Sequence, residues 1–328
     1  MKKPLLILSG VCSLTFSFAQ PAVWNSRGVG GGGALFSPSF NPANPNEYYI
    51  SCDMSELFHT TNLGQAYNQV HFDEFVGGHN SKVCFTSTAN LLYSIAYVAD
   101  IGTPVKSTDN GVTWNPLAGN PDPNEDIYTI HVDYANSNRV IISDYNAIHY
   151  STNGGTTFTQ IHTALTGSGN VVGGVFFDGN NIYIGTNDGV LFSINSGTNW
   201  STAVLTGIPA GEAIWSFSAA KSGPTTRFFC LTGDPADIYV GLQGSDYWGF
   251  YRGIYTCDYG VTNWTSASTG ITANDYPMFI GMAENNITTA YISGSNDNSE
   301  PIVMKTTNVG GNWSHVLLTT SNQNVTTG

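Results

Sequence analysis

Ser107-Thr108-Asp109-Asn110-Gly111-Val112-Thr113-Trp114 is the stretch from which the rest of the chain can be read. It returns as Ser151-Thr152-Asn153-Gly154-Gly155-Thr156-Thr157-Phe158 and as Ser193-Ile194-Asn195-Ser196-Gly197-Thr198-Asn199-Trp200. Two further copies are Thr306-Thr307-Asn308-Val309-Gly310-Gly311-Asn312-Trp313 and Thr60-Thr61-Asn62-Leu63-Gly64-Gln65-Ala66-Tyr67. A looser one, Thr256-Cys257-Asp258-Tyr259-Gly260, reaches Trp264 with one extra residue. The starts are 47, 44, 42, 63 and 50 residues apart, so one structural unit recurs along the chain.

Each copy has the chemistry of a hairpin turn. A hydroxyl residue ends one strand, and Asp or Asn bonds its own downstream backbone. Gly then takes a positive φ that other residues resist, and an aromatic opens the next strand and packs beneath the turn. Around each turn lies the same four-strand pattern. One unit reads as 127–132, 139–143, 147–151 and 158–162, and the next as 172–177, 181–185, 189–193 and 200–205. Four short strands per 40–50 residues predict an all-β fold, a β-propeller of four-stranded blades. Six blades are recognisable, forming either a closed six-bladed ring or part of a seven-bladed one. The fifth carries a long loop rich in Gly and aromatics, around 241–252.

Composition agrees. The chain has 328 residues, 41% of them hydrophobic and only 10% charged, with 37 Gly and 14 Pro, which suits short strands and tight turns rather than coiled coil or disorder. A net charge of −13 disfavours nucleic acid and favours neutral polymers or cations. Lys2 and Lys3 precede an apolar run from Pro4 to Phe18, and Ser17-Phe18-Ala19 supplies small residues for cleavage before Gln20. Residues 1–19 therefore read as a secretory signal peptide, and 20–328 as the exported propeller, without membrane insertion. In an oxidising compartment Cys52, Cys84, Cys230 and Cys257 could form two disulfides, and sequence proximity suggests Cys52–Cys84 and Cys230–Cys257. The other reading is four buried thiols. No Cys or His spacing suggests a metal site, and no cofactor is expected.

The amino-terminal stretch reads differently. Trp24-Asn25-Ser26-Arg27 leads through Gly28 and Val29 to Gly30-Gly31-Gly32-Gly33, then Ala34-Leu35-Phe36, Asn41-Pro42-Ala43-Asn44-Pro45 and Tyr48-Tyr49-Ile50-Ser51-Cys52-Asp53. No Lys-Ser/Thr follows the glycines, so this is not a phosphate loop. Glycines beside a strand let backbone approach backbone or a ligand.

Two resemblances follow from these residues. The recurring turn resembles the Asp-box, or BNR repeat, of sialidases, sortilin-type receptors and several glycoside hydrolases, where it is a structural staple away from the functional face. The 24–67 stretch resembles the start of glycoside hydrolase family 74, the xyloglucanases. That resemblance implies a catalytic carboxylate at Asp53, although Met54-Ser55-Glu56-Leu57-Phe58 replaces the family's Gly-Gly-aromatic. It also implies a tandem of seven-bladed propellers, with the second carboxylate on another propeller beyond Gly328.

Register places Asp53, Asp100 and Asp144 seven residues before their turns, between the second and third strands and on the opposite face. There Asp53 is the candidate catalytic residue, with Asp100 and Asp144 as candidate substrate contacts or simple turn formers. Tyr247, Trp248 and Tyr251 in the fifth-blade loop, with Trp215, are candidate platforms for sugar rings. A sialidase needs three arginines around a carboxylate and is disfavoured by four scattered ones, Arg27, Arg139, Arg227 and Arg252. The histidines, His59, His71, His79, His131, His149, His162 and His315, read as strand or loop residues. The expected function is a secreted, xyloglucanase-like inverting hydrolase, or its amino-terminal half, acting on a β-glucan-type polysaccharide. The alternative is a non-catalytic carbohydrate- or protein-binding propeller.

Overall fold

The computed structural model describes residues 33–203, 205–237 and 251–318. Within them lie twenty-four strands and no helix. The first blade is β1 (Leu35–Asn41), β2 (Asn44–Cys52), β3 (Leu57–Thr60) and β4 (Asn68–Gln69). The second is β5 (Cys84–Phe85), β6 (Leu92–Val98), β7 (Ile101–Ser107) and β8 (Asn115–Pro116). The third is β9 (Thr129–Val132), β10 (Val140–Ser143), β11 (Ala147–Ser151) and β12 (Thr159–Thr163), and the fourth β13 (Val172–Asp178), β14 (Asn181–Thr186), β15 (Gly189–Ser193) and β16 (Ser201–Ala203). The fifth is β17 (Ala213–Ser222), β18 (Thr225–Gly233), β19 (Tyr251–Asp258) and β20 (Thr265–Ser266). The sixth is β21 (Asp275–Met282), β22 (Ala290–Asn296), β23 (Pro301–Thr306) and β24 (Ser314–Leu318). Each blade is an antiparallel meander in chain order, and the six are arranged as a β-propeller. The two units whose strands the sequence delimits are found within two residues of those limits.

The middle strands show why the blades stack. In β10, Val140 and Ile142 pack towards blade 2, whereas Ile141 packs towards blade 4. In β14, Ile182 and Ile184 join blade 3, and Tyr183 joins blade 5. A strand wet on one face would alternate apolar and polar residues; a strand dry on both faces is a continuous apolar run. Five apolar clusters accordingly bridge blades 1–2, 2–3, 3–4, 4–5 and 5–6 in series. Among the described residues none bridges blades 6 and 1. On the inner strands, serine hydroxyls stitch neighbours together: Ser39 Oγ accepts from the Val83 N–H at 3.0 Å, and Ser216 and Ser218 accept from Ile280 and Met282 at 3.1 and 2.9 Å.

The recurrent turns share one hydrogen-bond set. In blade 3, Ser151 Oγ donates to Asn153 Oδ1 (2.9 Å) and accepts from the Gly155 N–H (2.9 Å), while Asn153 Oδ1 accepts from the Thr157 N–H (2.9 Å). Thr60/Asn62, Ser107/Asp109, Ser193/Asn195 and Thr306/Asn308 repeat it. At Gly111 the turn has φ +84°, and a side chain there would run into Tyr49 of blade 1. The fifth turn departs: the Asp258 carboxylate is taken by Arg227 at 2.6 and 2.9 Å, and Cys257 Sγ donates to the Val261 carbonyl at 3.2 Å.

Of the two readings of the cysteines, the structure shows buried residues rather than the suggested disulfides. Cys84 is buried, its Sγ donating to the Ile130 carbonyl at 3.4 Å. Cys230 faces Tyr255 across β18 and β19 while Cys257 faces Phe228, so the two cysteines sit diagonally, each engaged in blade packing. Burial raises the thiol pKa of Cys84, Cys230 and Cys257 alike, keeping them protonated.

Two outcomes test the turns. Ser151→Ala leaves the buried Gly155 N–H without its acceptor and should lower unfolding stability by about 1–3 kcal/mol in denaturant titrations. Asp109, the one acidic member among the five stapled turns, is held down to about 2 from an ordinary 3.8, first by the Thr113 N–H and hydroxyl and then by Ser107. A depressed folded-state value stabilises above the unfolded pKa and is lost as pH falls towards the folded one. The acid limb between about pH 4 and pH 2 should therefore flatten in Asp109→Asn, measured by thermal unfolding across that range.

Candidate functional site on the face opposite the recurrent turns

Because strand direction alternates, the turns joining second and third strands open on the end away from the recurrent turns. Asp53, Asp100 and Asp144 all lie there, in successive blades, as their register predicts. They do not share one role.

Asp53 is exposed at the β2–β3 turn, and its geometry is set by β1. Its Oδ1 accepts from the Ala34 N–H at 2.8 Å, and its own N–H donates to the Ala34 carbonyl at 3.2 Å. The turn is tight: Cys52 N–H reaches the Glu56 carbonyl at 2.9 Å, and Ser55 takes φ +83°. Gly33 makes this possible. It has φ +91°, and a Cβ there would lie 2.7 Å from Asp53 Oδ1 and 2.6 Å from Cys52 Sγ. The last glycine of the Gly30–Gly33 run thus seats the carboxylate against the start of the inner strand.

Around Asp53 the surface is mixed. Met54 is exposed, whereas Glu56 has one carboxylate oxygen buried with no hydrogen-bond partner among the described residues. The Gly77 N–H bonds the Ser55 carbonyl at 2.7 Å, bringing Gly78 and His79 of the next blade's entry loop alongside. His79 meets Phe36 edge-on at 4.3 Å, and Tyr97 closes over Gly78, with its hydroxyl pKa raised by burial and by Asp126. Sequence reasoning passed over Glu56, because the departure at 54–58 hid its place in the same turn as Asp53.

Asp100 occupies the second position of a two-residue turn, Ala99 at φ +52° and Asp100 at φ +66°. That is turn chemistry. Asp144 is held from three sides: Asn146 and Ala147 N–H groups donate to Oδ1, each at 2.7 Å, and His149 Nε2 stands 2.8 Å from Oδ2. Burial alone would raise its pKa, but His149 and the two amides outweigh it and hold the carboxyl below the usual range. This His–carboxylate pairing recurs as His59–Glu47, His162–Asp188 and His315–Asp275, at 2.7–3.0 Å. No local spacing in the sequence marks these pairs.

The aromatic candidates divide as well. Trp215 is 1% exposed, stacked on Phe279 at 5.9 Å within the blade 5–6 core, so its indole serves packing rather than an open sugar platform. Its position on an inner strand, covered from both sides, explains the difference. Tyr251 is half-buried, its hydroxyl 3.4 Å from Ser268 Oγ, with its pKa raised by burial and by Glu212 and Asp275. Those carboxylates are engaged: Glu212 accepts from Thr232 at 2.5 Å, and Asp275 from the Thr272 hydroxyl at 2.8 Å. Tyr247 and Trp248 lie outside the described residues. Arg252 meets Asp234 at 2.9 Å where the fifth-blade loop begins and ends.

Arg139, Arg227 and Arg252 pair with Asp133, Asp258 and Asp234 in blades 3 and 5, an arrangement unlike an arginine cluster around one substrate carboxylate. Among the described residues, no group of three or more His, Cys, Asp or Glu side chains is gathered as a metal site requires. Of Asp53, Asp100 and Asp144, Asp53 is the exposed one whose carboxylate accepts from a backbone N–H. Such a group can accept a proton from water or hydrogen-bond a hydroxyl.

No protein-family model and no curated protein matches the chain. Solved structures do. An ancestral enzyme of glycoside hydrolase family 74 superposes with a TM-score of 0.70 at 17% identity, over 92% of this chain and 41% of that one. The family 74 xyloglucanase from Xanthomonas campestris gives 0.63 at 16%, over 90% and 47%. YCF48, solved with a D1 peptide, gives 0.56 at 12%, over 87% and 82%. The chain spans less than half the length of either glycoside hydrolase. At these identities the likeness is one of fold, shared by the two glycoside hydrolases and by a propeller solved with a bound peptide.

Gly33→Ala tests how Asp53 is seated. The substitution forces a strained φ and a clash with the carboxylate it supports. Stability should fall by about 1–3 kcal/mol, and the Ala34 amide resonance should move to its unbonded position in NMR spectra. An unmoved Ala34 amide would break the link between the glycine and the carboxylate.

Proposed function

We propose that the chain is an exported, polysaccharide-directed propeller that receives a neutral β-glucan-type polymer on the face bearing Asp53, after cleavage near Ala19. The observation that carries this reading is the seat of Asp53: exposed on the open face, fixed by the Ala34 N–H and made possible by Gly33. Its place in the sequence matches the catalytic carboxylate of the xyloglucanases that the 24–67 stretch resembles. The recurrent turns are read as Asp-boxes, which hold the blades from the other end.

In this reading Asp53 is the general base of an inverting hydrolysis. It takes a proton from water as the water oxygen attacks the anomeric carbon, while a second carboxylic acid protonates the departing glycosidic oxygen. The two carboxyl groups must stand about 6.5–9.5 Å apart to leave room for the water. That acid would come from a second propeller beyond Gly328. A net charge of −13 suits an uncharged polymer better than a polyanion.

One observation favours a non-catalytic binding propeller instead. The same propeller fold is shared with YCF48, solved with a D1 peptide bound, as well as with the two hydrolases. Reducing-end release from xyloglucan, measured with this chain joined to the propeller that supplies the acid, separates the readings. In the hydrolytic case Asp53→Asn, which keeps an acceptor for Ala34, should lower kcat by about 10²–10⁴-fold with little change in stability. Saturable polymer binding without cleavage, equal in wild type and variant, would favour the binding module. Cleavage unaffected by the substitution would remove Asp53 from the mechanism.

A further inference from the structure

The opposite end of the molecule holds a feature that none of the Asp53 chemistry explains. At most seams, the segment leaving one blade closes over the recurrent turn of the next. Gly119 N–H, leaving blade 2, donates to the Gly155 carbonyl of blade 3 at 3.0 Å. Thr206 and Thr269, leaving blades 4 and 5, accept from the Trp264 and Trp313 N–H groups at 2.7 and 2.8 Å. Phe75, leaving blade 1, packs edge-on against Trp114 at 5.0 Å. The tryptophans at these turns are accordingly buried, at 2–7% exposure.

The seam between blades 3 and 4 is different. Strand β12 runs five residues, as does β24, against two or three for β4, β8, β16 and β20, and stays paired with β11 instead of crossing the next turn. Trp200 is left only partly buried. Beside it opens a cavity of about 450 Å³, lined by Tyr150, Thr159, Gln160, Thr198, Asn199 and Trp200 among others. This volume falls within the range of small-molecule sites.

The walls are both rigid and uncharged. Trp200 Nε1 donates to the Gly197 carbonyl at 3.1 Å, and its ring meets Tyr150 edge-on at 5.5 Å. Tyr150 in turn donates to the Ser196 carbonyl at 3.1 Å. Exposed hydroxyls and carboxamides from Thr152, Thr159, Gln160, Thr198 and Asn199 surround this fixed indole, and no ionisable acid or base lines the cavity except the Tyr150 phenol. Hydroxyls and carboxamides both donate and accept, matching a ligand that does the same, and an indole face suits the C–H side of a sugar ring. An anion would find no cation here and an unfavourable overall charge; a cation would find no carboxylate.

We infer that this niche is a binding site for a neutral oligosaccharide, built on Trp200 and the Gln160 and Asn199 carboxamides. It is independent of Asp53 and lies at the other end of the blades. The hydrogen bonds that hold Trp200 and Tyr150 mean that the indole needs little ordering when a ligand enters.

The test is calorimetric titration of the full chain with neutral tetrasaccharides (cello-, manno- and xylotetraose), with tetragalacturonate as the charged control. At least one neutral sugar should saturate and quench tryptophan fluorescence, and tetragalacturonate should bind about tenfold more weakly or not at all. Trp200→Ala should weaken the neutral sugar at least about tenfold and abolish the quench. The double variant Gln160→Ala/Asn199→Ala alters exposed side chains only, and should weaken it several-fold while unfolding normally. Asp53→Asn should leave this affinity unchanged, so failure here is separable from failure of the hydrolytic reading. Absence of saturation with all three neutral sugars up to roughly 10 mM, or affinity unmoved by both the Trp200 and the double variants, would overturn the site.

Discussion

Burial of both faces of each middle strand is the constraint on which this molecule rests. An isolated antiparallel sheet keeps one face in water, whereas here the residues of β10 and β14 are shared alternately between two neighbouring blades. A fully buried Ile or Leu contributes about 1.5–3 kcal/mol relative to exposure, so a blade is stable only between its neighbours. Little of a blade is left to meet solvent beyond its turns, its outer strand and the seams. Function in such a body is confined to those places, and its two ends face different demands.

One end is committed to holding the hairpins closed. Five turns repeat the same bonds, the Ser or Thr hydroxyl accepting from the Gly N–H and the Asn or Asp Oδ1 accepting from the N–H four residues on. The other end has turns of differing length and chemistry, from the two-residue Ala99–Asp100 turn to the tight Cys52–Glu56 one. Asp53 stands out there because a carboxylate bonded to one backbone N–H is oriented without being enclosed, unlike Asp144, which two amides and His149 surround. The distinction between a turn former and a reactive group lies in what remains accessible after the turn has been satisfied.

The blades were legible in the sequence because each carries a local signal with a mechanism: hydroxyl, Asx, glycine and aromatic at fixed offsets. The face on which Asp53, Asp100 and Asp144 emerge followed from the same offsets. Contacts between residues far apart in the chain were not legible. His315 finds Asp275 forty residues earlier, and Asp258 leaves its turn for Arg227, thirty-one residues back. The Ala34–Asp53 bond depends on an irregular register between β1 and β2, which alternation alone does not reveal. Trp215 read as a sugar platform because aromatic residues stack on sugars, yet an inner strand packed by two neighbouring blades leaves it no open face. The cysteines misled for a related reason: nearness in sequence placed Cys230 and Cys257 on adjacent strands, but in diagonal register.

Repetition also makes departures informative. Where five turns obey one hydrogen-bond rule, a position that departs from its counterparts is under some other influence, and the two clearest departures have opposite character. At blade 5 the Asp258–Arg227 pair replaces the staple with an ion pair, which still closes the turn onto its own sheet and tucks Trp264 away. At the blade 3–4 seam nothing replaces the missing cover: β12 runs straight on, and Trp200, partly buried where Trp114, Trp264 and Trp313 are buried, is left beside an open, hydroxyl-lined space. A partly buried indole gives up some of the stabilisation that the buried tryptophans obtain at other seams. The first departure is compensated within the fold. The second lacks such compensation inside the described chain, and a partner from outside it would supply the burial that blade 3 does not.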